Sequence, residues 1–187
     1  EIFQEINNKK INYVVWKNLN LLEDFFLGNE NIDIYVEYND KEKFISLLKS
    51  KEWIEVSSNT NNLRDIKHFL FFSYDKIYHI HVYFKLLTGN SVSKNYDLTN
   101  LCDFFENKIF DDKFGLWIMD YKLQMLLIKI RLASKNITIL DKYIDKRDLG
   151  SFKNEYSLLN KKLTYLEHSN HKINKILQKK VFDQKFS

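Results

Sequence analysis

The segment from Gly28 to Val36 constrains the fold of this chain more than any other, because a glycine turn is followed there by a strand pattern. Its side chains alternate between two faces of the strand. The polar face holds Asn31, Asp33 and Tyr35, and the apolar face holds Ile32, Ile34 and Val36. Polar groups two residues apart on such a strand suit metal-dependent phosphoryl chemistry, in which paired carboxylates hold divalent cations against a triphosphate. Here the pair is incomplete, since position 31 is Asn.

Composition limits the architecture and the location of the chain. With 187 residues and 44% hydrophobic side chains, one domain is expected, or a compact domain with a helical appendage. The longest apolar stretches are strand-sized and the N-terminus lacks a secretory pattern, so we expect neither a membrane span nor export. The lone Cys102 excludes an internal disulfide and fits a reducing cytoplasm.

The charge pattern argues against a nucleic-acid partner. The net charge of +4 comes almost entirely from lysines that are interspersed with acidic residues. Because nucleic-acid surfaces usually cluster Lys and Arg on one face, no dedicated surface of that kind is expected.

Hydrophobic periodicity predicts alternating elements in the first part of the chain. Helices are predicted over residues 2–10, from a cap at Asn18 to about Leu27, and from a cap at Asp40 to about Ser50. Strands are predicted over 11–17, 32–38 and 53–56.

A β-hairpin is predicted next, since two apolar runs over 66–74 and 77–86 flank the polar pair Asp75-Lys76. A loop over 88–97 should lead to a short helix near 99–107 and a strand around 114–119. Asp120 should cap a long helix to about Ala133, with two or three amphipathic helices after it. The prediction is an α+β fold: a small mixed sheet with flanking helices over 1–118 and a helical C-terminal region over 119–187 packed on it.

The order of these elements and a set of short motifs resemble a known family. The motifs are Trp16-Lys17-Asn18, Gly28, Asn31-Ile32-Asp33-Ile34, His79-Ile80-His81, Thr88-Gly89 and Lys94-Asn95-Tyr96. Over roughly residues 11–135 the chain is similar to bacterial nucleotidyltransferase-like proteins of the polymerase-β superfamily, which are often encoded with surface-polysaccharide genes.

The resemblance implies a short mixed sheet whose polar face binds a nucleoside triphosphate and Mg²⁺. Typical members place a Gly-Ser pair after the first strand, two Asp on the next strand and a third acid on a later strand. In this chain Lys17-Asn18 stands near the Gly-Ser position, Asn31 replaces the first acid, and His79 or His81 lies near the place of the third. One carboxylate is then left for a metal, since an Asn oxygen can bind Mg²⁺ but adds no charge.

The candidate catalytic residues are Asp33, His79 and His81. Asp33 is the predicted metal ligand, and the alternative is a solvated carboxylate or the partner of a nearby Lys. The two imidazoles lie on one strand face and could share a metal or supply a general base near neutral pH. The alternative for them is a half-buried polar face satisfied by Tyr and backbone partners.

The candidate substrate-binding residues are Lys17, Asn18, Asn31, Lys85, Lys94 and Asn95. Each lysine could bind a phosphate as a point charge. In a chain this rich in Lys, most such groups are surface charges.

Two functional hypotheses follow. The first is an Mg²⁺-dependent enzyme that transfers a nucleotidyl or phosphoryl group from a nucleoside triphosphate to a small acceptor, such as a sugar or sugar phosphate for capsule or surface polysaccharide. The second is a catalytically degenerate domain of the same fold that binds a ligand or a protein. For it, the predicted C-terminal helices offer a partner surface through Tyr156, Leu159, Leu163 and Leu166.

Overall fold

The protein has a mixed α+β architecture in its computed structural model, which describes residues 1–57, 65–88 and 96–138, with side chains as far as residue 131. The described helices are α1 (Ile2–Asn8), α2 (Leu22–Phe26), α3 (Lys41–Ser50) and α4 (Tyr121–Thr138). The strands are β1 (Tyr13–Lys17), β2 (Asn31–Val36), β3 (Ile54–Val56), β4 (Ile66–Ser73), β5 (Lys76–Tyr83), β6 (Leu87–Thr88), β7 (Tyr96–Asp97), β8 (Ile109–Asp111) and β9 (Leu116–Ile118).

The chain divides into two compact units, one of residues 1–87 and 97–120 and one of residues 88–96 and 121–187. The first unit is built around a seven-stranded sheet in the order β3-β4-β5-β2-β1-β9-β8. The pairs β2–β5 and β1–β9 are parallel and the other pairs are antiparallel. The sheet is therefore mixed, as the sequence predicts. Strands β6 and β7 pair separately.

The alternation of side chains in β2 decides which sheet face is covered by helices. Ile32, Ile34 and Val36 are almost fully buried on one face. α2 contacts β2 and β5, and α1 contacts α3. In α3, Phe44 and Leu48 lie one turn apart and are both fully buried. Burial of each such side chain contributes about 1.5–3 kcal/mol, so this face holds a large part of the core, while Tyr35 and Tyr83 are buried on the other face.

The turn before β2 requires a glycine. Gly28 has φ +80°, and its N–H donates to Phe25 O at 2.9 Å, which closes the end of α2. A Cβ at this position would lie 3.0 Å from Lys76 Cβ at the start of β5. Gly28 therefore ends α2, as predicted from the sequence, and also leaves room for the neighbouring strand.

Three local predictions are wrong. Asn18 does not cap α2, because it adopts a left-handed backbone conformation before a 3-10 turn over Leu19–Leu21 and makes no capping hydrogen bond with its side chain. Asp40 likewise makes no cap hydrogen bond, and its carboxylate instead accepts one from Asn12 N at 2.7 Å. Residues 99–107 contain turns and bends where a short helix is predicted.

The predicted hairpin forms with a shifted turn. Ser73 pairs with Lys76, so the two turn residues are Tyr74 and Asp75 instead of Asp75 and Lys76. A strand that was not predicted, β8, pairs with β9 at the opposite edge of the sheet.

The second unit contains α4, which begins at Tyr121 and continues past the predicted end at Ala133. Most of the predicted C-terminal helical region, including Tyr156, Leu159, Leu163 and Leu166, lies outside the described residues. Among the helices that the structure describes, none has both the length and the apolar character needed to cross a bilayer.

We expect Gly28→Ala to lower the free energy of unfolding by about 2–3 kcal/mol, because it adds both backbone strain at positive φ and the contact with Lys76. Gly115→Ala is the matched control, since Gly115 has φ +66° but open space around its Cβ position. It should lose about 1 kcal/mol from backbone strain alone. Urea unfolding of both variants measures the difference, and equal losses would show that the approach of β5 does not matter.

Candidate functional site

Asp33 lies at the centre of a polar cluster on the face of the sheet opposite α2. It belongs to β2 and is only 1% exposed. The parallel pairing of β2 with β5 puts Asp33 opposite His81 and Asn31 opposite His79. The carboxylate and the two imidazoles therefore lie on the same face of the sheet.

Four side chains surround the carboxylate. Asp33 Oδ1 lies 2.9 Å from Lys17 Nζ and 2.9 Å from His81 Nδ1. The Lys17 contact is an ion pair, and His81 brings an imidazole nitrogen to the same oxygen. Oδ2 accepts from the side-chain amides of Asn31 at 3.2 Å and Asn18 at 3.4 Å. Both carboxylate oxygens therefore face donors.

The neighbouring cation keeps Asp33 ionised. Burial raises the pKa of the Asp33 carboxyl, but attraction to Lys17 and the interaction with His81 outweigh burial and hold that pKa well below its usual value. Since a lone pair on His81 Nδ1 would repel the carboxylate, this nitrogen carries a proton. The site is thus a buried ion pair with an imidazole N–H beside it.

A β-bulge brings Lys17 to this face of the sheet. Val15 pairs with Ile34, and Lys17 then pairs with Asp33, so one extra residue, Trp16, lies between the two pairs. With strict alternation, Lys17 would share the helix-covered face with Val15. The bulge instead points the ammonium group at the carboxylate.

Aromatic groups enclose the Lys17 side chain. Its Nζ donates to Tyr83 Oη at 3.0 Å and lies 5.0 Å from the ring centroid of Trp16 and 5.1 Å from that of Tyr83. Both rings are buried, which limits the positions that the ammonium group can take. Tyr83 Oη is also 3.3 Å from His81 Nδ1, so one hydroxyl connects the lysine to the histidine.

His68, His79 and His81 form a row of imidazoles beside the ion pair. The rings of His68 and His81 stack with centroids 4.0 Å apart, and His68 Nδ1 lies 2.9 Å from His79 Nε2. Burial, followed by repulsion from the other two histidines, lowers the pKa of His68 to about 4. Burial also lowers the pKa of His79, against the attraction of Asp33. Both rings are therefore neutral at pH 7, and the N–H of one ring donates a hydrogen bond to the ring nitrogen of the other.

The other predicted substrate-binding residues lie elsewhere or are not described. Lys85 follows β5, and its Nζ is 3.6 Å from the carboxylate of Asp65, which also contacts Lys41. Lys94 and Asn95 lie outside the described residues. Of the predicted lysines that the structure describes, only Lys17 contacts Asp33.

Sequence reasoning missed His68 and Trp16 as members of the cluster, whereas Tyr83 fits the alternative in which Tyr satisfies the histidine face. The true hairpin turn pairs His68 with His81, whereas the predicted turn would put Leu70 there. The signal that could have identified His68 is the position of the turn, because a turn at Tyr74 and Asp75 fixes the pairing of β4 with β5. Trp16 was assigned only to a family motif, although strict alternation from Val15 already puts its side chain on the Asp33 face.

The donor set does not fit a resident Mg²⁺ in this arrangement. Mg²⁺ is bound through oxygens, usually by one or two carboxylates. Here the single carboxylate already faces an ammonium group, an imidazole N–H and two amide N–H groups. Within the described ranges, no group of three or more His, Cys, Asp and Glu is arranged to hold a metal ion.

Comparison with known proteins adds no relative to this description. No family model, no curated protein and no solved structure matches the chain.

We expect Lys17→Met to lower the free energy of unfolding by about 3–5 kcal/mol, because it leaves the buried Asp33 carboxylate without its cation. Asp33→Asn in the same background removes the stranded charge and should restore part of the loss. Lys51→Met is the control for the substitution, since Lys51 forms an equally short but exposed pair with Glu5. Chemical denaturation measures all three, and a loss no larger than that of Lys51→Met would contradict the buried ion pair.

The lowered pKa of His68 predicts a pH dependence of stability. The folded pKa is about 4 against an ordinary value of 6.5, so the unfolded chain binds the proton more readily. The contribution of His68 is complete above pH 6.5 and is lost as the pH falls toward 4. We expect His68→Gln to reduce the decline in unfolding free energy over this interval. Denaturation curves at several pH values test this, and parallel declines in both proteins would refute it.

Proposed function

We propose that this chain is a nucleotidyltransferase-like domain that binds a nucleotide at the Asp33 cluster and acts as a binding module. The observation that carries the proposal is the 2.9 Å contact between Lys17 and Asp33. In the family that the sequence resembles, a metal ion meets the acidic residues of this strand. In this chain a lysine of β1 supplies the positive charge at Asp33, the one carboxylate that the structure describes in this cluster.

The groups around the ion pair suit a polar organic ligand. Asn18, Asn31, His68 and His79 are all partly exposed, and each offers amide or imidazole hydrogen-bonding groups. Such groups can contact a base or a ribose, while Lys17 can share its charge with a phosphate. The mixed sheet and the position of Asn31-x-Asp33 on β2 agree with the resemblance that suggests a nucleotide.

A second candidate function is the enzyme itself, and the register of β2 and β5 favours it. Asp33 and Asn31 lie opposite His81 and His79, which is where the resemblance puts the groups of an active site. Such an enzyme would transfer a nucleotidyl or phosphoryl group from a nucleoside triphosphate, supplied with Mg²⁺, to a sugar or sugar phosphate in the cytoplasm. An imidazole would orient or deprotonate the acceptor. The ammonium group of Lys17 would leave the Asp33 carboxylate and contact the phosphates of the nucleotide instead.

Nucleotide-induced thermal stabilisation tests both candidates. For the binding module, ATP or CTP should raise the melting temperature by several degrees with or without Mg²⁺, since saturation at a hundred times Kd contributes about 2.7 kcal/mol. Lys17→Met should abolish the rise, while Lys85→Met, which alters a lysine paired with Asp65, should not. For the enzyme, the rise should require Mg²⁺ and disappear in Asp33→Ala. Failure of every nucleotide to stabilise the protein under either condition would reject both.

Asn31→Asp separates the two candidates further, because it restores the missing acid two residues before Asp33. If the natural domain is a module without a metal, the variant should gain Mg²⁺-dependent nucleotide binding that the natural chain lacks. If the natural domain is an Mg²⁺-dependent enzyme, the substitution should change metal affinity little. Titration of Mg²⁺ at fixed nucleotide concentration gives the measurement.

A further inference from the structure

A pocket lies on the helix-covered face of the sheet, opposite the Asp33 cluster. Its volume is about 490 Å³, which is within the range of small-molecule sites, and it is bordered by α1, by the ends of α2 and α3, and by β4 and β5. Tyr78 of β5 lines this pocket, while the next residue, His79, belongs to the imidazole row. Because adjacent strand residues point to opposite faces, the two sites share a strand but no side chain.

Five aromatic rings form a continuous wall of the pocket: Phe26, Phe25, Tyr78, Phe71 and Trp53. Successive ring centroids along this wall are 5.2, 6.0, 6.3 and 5.5 Å apart. Phe25 and Trp53 are buried, whereas the other three rings are partly exposed. One face of Phe26 stacks on Phe114 at 5.2 Å, so the wall offers the pocket the remaining exposed parts of Phe26, Phe71 and Tyr78.

The charged groups of the pocket are mainly acidic. Its lining residues include three acidic ones, Glu1, Glu5 and Glu52, against two ammonium groups, those of Lys51 and of the backbone amine of Glu1. Lys51 is 2.7 Å from Glu5, so that pair is internally neutralised. Ser50, at the C-terminal end of α3, also lines the pocket, and the negative end of the helix dipole lies there. The local field therefore favours a cation.

We propose that this pocket binds a small organic cation with a methylated or alkylated ammonium group. Aromatic faces within about 6 Å attract such a cation through their quadrupoles, and they also bury its methyl groups. Acidic side chains at the same pocket disfavour anions such as nucleotides and phosphates. A metal ion is not the expected ligand, since no group of three or more His, Cys, Asp and Glu among the described residues is arranged to hold one.

The proposal is independent of the function assigned to the Asp33 cluster. A nucleotide requires the positive Lys17 on one face of the sheet, whereas the aromatic pocket attracts positive charge on the other. If a substitution abolishes binding at one site, binding at the other site can still be measured.

Calorimetric titration with choline and with its tert-butyl analogue, in which carbon replaces the nitrogen, tests the proposal. The two probes have nearly the same shape and differ in charge. Choline should bind at least about tenfold more tightly, a difference that cation–π contacts and nearby carboxylates together can supply. Equal affinity for the two probes would show a merely apolar pocket and overturn the proposal, as would no detectable binding of choline.

Variants locate the binding. Glu52→Gln should weaken choline severalfold without changing the affinity for the neutral analogue, because Glu52 is exposed and its replacement removes only charge. Tyr78→Leu should weaken choline more strongly, since it removes one ring of the wall. Phe72→Leu is the matched control, because Phe72 is adjacent to Phe71 in the chain but is 55% exposed and does not line the pocket. Undiminished choline binding in both Glu52→Gln and Tyr78→Leu would place the cation elsewhere and overturn the proposal.

Discussion

The polar side of the sheet depends on the ion pair between Lys17 and Asp33. A carboxylate that is only 1% exposed would be strongly destabilised without a counter-charge, because desolvation disfavours its ionised form. Lys17 supplies this charge from β1, and His81 adds its N–H from β5. One carboxylate thus connects three neighbouring strands. Tyr83 strengthens the arrangement, because its hydroxyl group contacts both the lysine and the histidine.

The same ion pair bears on the chemistry available at the site. A lysine ammonium is a fixed single charge with three donors, whereas a bound Mg²⁺ carries two charges and accepts several oxygen ligands. An ammonium group beside Asp33 can hold a phosphate but cannot bridge a carboxylate and a triphosphate as a metal does. This difference favours recognition over transfer. The opposite face, with its aromatic wall and carboxylates, has the reverse polarity and would select a different ligand.

Much of the fold follows from local patterns, and the errors have physical causes. Alternation in β2 correctly predicts that Asp33 and Asn31 share a polar face. Two apolar runs separated by a short polar turn correctly predict the hairpin of β4 and β5. The position of that turn is wrong, because Tyr74 and Asp75 occupy it. As a result His68 replaces Leu70 beside His81. Asn18 was assigned to a helix cap by its residue type, but its amide donates instead to Asp33 across the site.

The sequence by itself determined the approximate positions of β1 to β5, β9 and α1 to α3, the glycine turn, and the shared face of residues 31 and 33. Each of these depends on chain neighbours and on steric rules of the backbone. Only the tertiary structure decided that Lys17 meets Asp33. Strict alternation would have put this lysine on the other face, and the bulge between Val15 and Lys17 reverses it. The bulge lets Lys17 neutralise the buried Asp33 carboxylate, which regular alternation would leave without this cation. This arrangement involves β1, β2 and β5 together, so no local pattern contains it.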